Sequence, residues 1–131
     1  PKVVCRYADF LLQTNEVYRA IDKYIEAYKI DSNMSHAIIG HAECLVKLRK
    51  YDEALNILNN CDDTAKNSEP YLMIRLMALN EIALKHKQNQ NMEEYEKLNG
   101  TIIEVCDKIV EVSGNDKLVA RIRKLHRTNK G

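Results

Sequence analysis

The chain has 131 residues, 45% apolar and 30% charged, with a formal net charge of +1; these figures fit one globular domain and exclude a disordered tract. Four Gly and two Pro are too few for the turns of a β-sandwich or barrel, so an all-α chain is expected. No apolar run approaches the ~18 residues of a membrane span, and no signal-peptide pattern is present.

The elements follow in chain order. Val4, Tyr7, Ala8 and Leu11 recur at three- and four-residue steps, which predicts a first helix. Thr14-Asn15-Glu16 breaks it and offers a cap for a second helix carrying Val17, Ala20, Ile21, Tyr24, Ala27 and Tyr28. Asp31-Ser32-Asn33 ends that helix with turn-forming residues. Residues 35–61 repeat the design: Ile38, Ala42 and Leu45, a polar turn at Arg49-Lys50, then Tyr51, Ala54, Leu58 and Cys61. Each of these helices is expected to hold about fourteen residues, roughly 21 Å of rod. Ser68-Glu69-Pro70 opens a third, longer hairpin, with Leu72, Leu76, Leu79 and Ala83, alongside Met73 and Met77, as the apolar face of its first arm. Its second arm runs from about Met92 to Val112, with Leu98, Ile102, Val105, Cys106 and Ile109 as a buried stripe and Gly114-Asn115 as a C-cap. Leu118, Val119, Ile122 and Leu125 then give a terminal helix one apolar side.

A shift of 34 residues superimposes Ala8 on Ala42, Leu11 on Leu45 and Ala20 on Ala54. Small residues at these positions let paired helices approach closely, and Tyr24 and Leu58 fill the groove between hairpins. The pattern Val4-x-x-Tyr7-Ala8-x-x-Leu11 followed by Ala20-x-x-x-Tyr24-x-x-Ala27, with its second copy at 38–61, resembles the tetratricopeptide repeat family. Lys50-Tyr51-Asp52-Glu53-Ala54-Leu55 is similar to the opening of that family's second helix. Val4 and Ile38 stand where the family usually has Trp, and Ser32 where it has Pro. The resemblance implies a right-handed α-solenoid with repeats at 1–34 and 35–68, a degenerate repeat at 69–115 and a basic capping helix at 116–131. It also implies a protein–protein interaction module within a larger scaffold or adaptor. The start at Pro1 likewise reads as a piece of a longer chain.

The repeat register puts Lys2, Cys5, Asp9, Leu12 and Gln13 on the same concave face as His36, Ile39, Glu43, Val46 and Lys47. Apolar ground with two carboxylates suits a peptide or helix bearing a basic residue. The family's clamp for Hsp70/Hsp90 tails wants Lys, Asn and Asn where this chain has Cys5, Asp9 and Gly40, so that partner is not expected. Residues 116–131 carry six basic groups and one acidic. Lys117, Arg121, Lys124 and Arg127 are candidate contacts for an anionic partner, with RNA as the alternative. No aromatic follows Tyr95, which leaves a nucleic acid without stacking partners.

No nucleophile, phosphate-cradle or metalloprotease motif is present, so catalysis, cofactors and metals are not expected. Cys5, Cys44, Cys61 and Cys106 lack close spacing, and only His41 and Cys44, near His36, share a helix face. Free buried thiols are the expectation, in the cytoplasm or nucleus. The glutamates between 81 and 111 read as a solvated face.

Overall fold

The computed structural model describes residues 2–114, 116, 117, 119–122 and 124, and every regular element among them is an α-helix. In order these are α1 (Lys2–Gln13), α2 (Val17–Ile30), α3 (Ser35–Lys47), α4 (Tyr51–Leu58), α5 (Asp63–Lys66), α6 (Glu69–Gln88) and α7 (Met92–Val112). Residues 116, 117, 119–122 and 124 are helical as well. The chain divides into two compact units, Pro1–Lys66 and Asn67–Gly131.

In the first unit α1 packs on α2, α2 on α3 and α3 on α4, and α1 also meets α3, the first helix of the second hairpin. The small residues sit where helices touch: Ala8, Ala20, Ala27, Ala42 and Ala54 have no exposed surface. The large residues expected between hairpins, Tyr24 and Leu58, are equally inaccessible. Tyr24 lies so close to α3 that a Cβ on Gly40 would sit 2.4 Å from its ring. That is why a glycine interrupts the middle of α3, where it costs helix propensity.

The three hairpin turns are built alike. Asn15, Arg49 and Gln90 each adopt a left-handed backbone, with φ of 65°, 62° and 60°. In the first turn the N–H of Asn15 bonds to the carbonyl of Leu12 at 3.0 Å and that of Glu16 to Leu11 at 2.8 Å. Arg49 and Lys50 repeat the pair onto Val46 and Leu45 at 3.0 and 2.8 Å. Gln90 and Asn91 repeat it onto Lys87 and His86 at 3.1 and 2.8 Å. This is the Schellman closure, which satisfies carbonyls left open at a helix end. The same closure recurs at the α6–α7 turn, where the 34-residue sequence pattern is no longer legible.

Several local expectations are corrected. Thr14 does not cap α2; its hydroxyl donates back to the carbonyls of Phe10 and Leu11, closing α1 instead. Tyr7 is not core: its hydroxyl accepts from Arg19 Nη2 at 2.8 Å and Lys23 Nζ lies 5.9 Å from its ring centroid, at a rim that stays wet. The second helix of hairpin two spans eight residues, not fourteen. Asn59-Asn60 turns the chain, and Asp62 Oδ1 accepts the Ala65 N–H at 2.8 Å to start α5 separately. Cys61 is nevertheless buried.

In the second unit α6 and α7 form one long hairpin. Pro70 stands in the first turn of α6, as expected. Tyr71, Ile74 and Ala78 join the predicted Leu72, Leu76, Leu79 and Ala83 in the core, whereas Met77 is exposed. Ile102, Val105, Cys106 and Ile109 of α7 are buried, whereas Leu98, expected in the same stripe, is only half-buried, nearer the helix start. The helix ends at Ser113 in extended backbone, and no glycine among the described residues has a positive φ, so Gly114 does not act as a left-handed cap. Ile122 is buried, while Asn115, Leu118, Leu125 and Arg127 lie outside the described residues.

Candidate functional site

The site is built from the edge that α1 shares with α3. A residue and its neighbour four positions on share one face of a helix, so Cys5 and Asp9 point the same way from α1. His36 occupies the first turn of α3, and its Nε2 lies 3.0 Å from Asp9 Oδ2 and 3.3 Å from Oδ1. The Tyr24 hydroxyl donates to Asp9 Oδ1, so one carboxylate ties together α1, α2 and α3. The sulfur of Cys5, a carboxylate oxygen of Asp9 and a ring nitrogen of His36 all lie within 4.8 Å of one another.

The residues expected on this face divide by depth. Cys5, Leu12 and Val46 are buried; Asp9, Ile39 and Glu43 are partly exposed; Lys2, Gln13, His36 and Lys47 are exposed. The buried three follow from helix phase, since Cys5 and Leu12 point with Ala8 into a cluster containing Tyr24, Ala37 and Cys44. Gly40, against the Tyr24 ring, has no room for an Asn side chain.

His41 faces the other way. Its Nδ1 is hydrogen-bonded with the Tyr28 hydroxyl at 2.9 Å, and the two rings stack 5.9 Å apart. Burial holds its pKa below the ordinary histidine value, against a smaller opposing pull from Glu53. All four cysteines are free and buried. Burial pushes Cys5 and Cys106 up to about 11 and Cys44 to about 12, and raises Cys61. Carboxylates add to the rise at Cys5, where Asp9 is close, and at Cys44, where Glu43 is. Thiols so protonated at neutral pH are poor nucleophiles.

Among the C-terminal candidates, Lys117, Arg121 and Lys124 are helical and exposed. They belong to the second unit and Arg127 is outside the described residues. In the first unit, the 34-residue register placed Asp9 and His36 on one face although 27 residues separate them, because it aligns Lys2 with His36 and so puts His36 beside the first turns of α1. What the register does not give is their direct contact.

Paired antiparallel helices with small residues at their contacts, repeated at 34 residues and closed by like turns, define the class: tetratricopeptide-type helix hairpins. Residues 2–61 match the model of the family described as "Anaphase-promoting complex, cyclosome, subunit 3", a family of this repeat type. The match takes in α1 to α4, just under half of the chain. No curated protein and no solved structure matches the chain.

Proposed function

We propose that this chain is a non-catalytic protein–protein interaction module, the repeat segment of a larger scaffold or adaptor, whose α1/α3 face seats a peptide or partner helix carrying a basic residue. The observation that carries this reading is the link between Asp9 and His36, which brings the inner edges of two successive hairpins into one surface. Cys5, Leu12 and Val46 supply an apolar floor, and Glu43 supplies a carboxylate at the rim not shared with Tyr24 or His36. Extended or helical segments bind such surfaces through apolar anchors, with charge setting register. The repeat type is one generally used for protein binding. Burial keeps the Cys5 thiol of this face protonated, so it offers no activated thiolate.

Selection from a displayed peptide library tests this. Enriched peptides should share a Lys or Arg next to an apolar residue and should lose at least about tenfold in affinity when Glu43→Lys is introduced, as expected for ~1.4 kcal/mol or more. Glu104→Lys, on α7, should leave binding unchanged. Selected peptides indifferent to Glu43→Lys, or no enrichment, would reject the assignment.

A further inference from the structure

We propose that Cys5, Asp9 and His36 form a binding site for one transition-metal ion of the zinc class, with a solvent molecule as fourth ligand. The inference is independent of peptide binding and rests on three side chains from two helices. Their ligand atoms already lie within 4.8 Å of one another. A tetrahedral zinc ion with ligands at about 2.0–2.3 Å needs them roughly 3.3–3.7 Å apart, so a rotamer adjustment of about 1 Å closes the set.

The donors suit that class of ion. One sulfur, one imidazole nitrogen and one carboxylate oxygen are the mixed set that zinc accepts, whereas calcium and magnesium demand oxygen ligands. Cys5 and Asp9 are one turn apart on α1, which is the spacing by which a helix presents two ligands to one ion. His36 approaches from α3 through Nε2, currently against Asp9 Oδ2 at 3.0 Å, and a metal would take the place of that contact. The Tyr24 hydroxyl holds Asp9 by its other oxygen, Oδ1, and leaves Oδ2 to the ion. Such a hydrogen bond behind a ligating carboxylate fixes its orientation.

Charge points the same way. Binding would displace the Cys5 proton, and the thiolate and carboxylate then facing the ion at the edge of an apolar cluster would be neutralised by its two positive charges. Cys5 is buried while the Asp9 and His36 side chains are 38% and 68% exposed, so sulfur closes the inner side and the fourth position opens to water. Three protein ligands with one exchangeable position is the open form of a zinc site.

Cobalt(II) is the probe, added to the full chain under reducing conditions. One equivalent should produce a thiolate-to-cobalt charge-transfer band and the intense visible bands of a tetrahedral complex, both displaced by zinc. Cys5→Ala should abolish the charge-transfer band, and Cys44→Ala, a control for loss of a buried thiol, should retain it. His36→Gln, at an exposed position, should weaken cobalt binding at least tenfold with an unchanged circular dichroism spectrum. A protein giving no charge-transfer band, or one whose band survives Cys5→Ala or whose affinity survives His36→Gln, would overturn the assignment.

Discussion

Two glycines lie inside helices of this chain and should respond to the same substitution with opposite sign. Gly100 in α7 has open space where a Cβ would go, with nothing within 4 Å. Gly100→Ala should therefore stabilise the protein by the helix-propensity difference alone, about 0.8–1.0 kcal/mol. Gly40→Ala gains the same propensity but places its methyl 2.4 Å from Cε1 and Cζ of Tyr24, where ordinary contact begins at 3.4 Å. The ring must retreat by about 1 Å. Tyr24 is 1% exposed and bonded through its hydroxyl to Asp9, so it has nowhere to go without disturbing α1. Overpacking costs ~1–3 kcal/mol, and a weakened hydrogen bond to a carboxylate adds up to ~1.5. Less the propensity gain, Gly40→Ala should destabilise by about 1–3 kcal/mol. Urea unfolding followed by circular dichroism measures both variants. Tyr24→Leu should relieve the clash, so that Gly40→Ala in that background becomes neutral or stabilising. Equal stabilisation by the two alanines would refute the argument that the Tyr24 ring is the reason for Gly40.

Arg49→Gly should stabilise by about 0.5–1 kcal/mol in a thermal melt, because a left-handed residue with a Cβ costs ~1–2 kcal/mol before glycine's larger unfolded-state entropy is subtracted. Arg49→Ala keeps the Cβ and should show no gain. Ala54→Leu or Ala20→Leu, both without exposed surface, should each lose ~1–3 kcal/mol in the same assay; an unchanged melting temperature for either would show that helices do not meet there. For His41 the folded pKa lies below the unfolded value of 6.5. The unfolded chain then binds a proton that the folded chain does not, and stability falls as pH drops below about 6.5 towards the folded pKa. Urea midpoints across that range should fall less steeply for His41→Gln, and parallel curves would locate the loss elsewhere.

The repeat was legible because its informative residues are small and local. Alanine at 8, 20, 42 and 54 marks contact points whose helical spacing can be read directly, and burial bears out all four. What escaped was chemistry that depends on geometry more than on residue type. Asn15, Arg49 and Gln90 share a backbone conformation for which only Asn carries a sequence preference, so the common turn was invisible at Arg49 and Gln90. The early end of α4 hangs on Asn59-Asn60 and the Asp62 cap, which the apolar stripe through Leu58 and Cys61 masks. Tyr7 looked like core because its ring is large, yet its hydroxyl and two nearby cations hold it at the rim. On the candidate site, helix phase and the 34-residue register placed Cys5, Asp9 and His36 on one face, but the approach of their ligand atoms to within 4.8 Å comes from the packing of two hairpins.

The shared turn has a consequence for how such a hairpin acquires its length. With the reversal conserved, the longer arms of the third hairpin differ from the others only at the ends away from the turn. α6 has 20 residues against 13 in α3, and α7 has 21 against 14 in α2. Against these two arms the excess is seven residues, just short of two full turns and about 10 Å of rod; α1, with 12 residues, and α4, with eight, are shorter still. An extension by that increment returns side chains to nearly the same angular position, about 20° out of phase. Arm length thus varies at the open end of a hairpin, from eight residues in α4 to 21 in α7, while the reversal keeps one form.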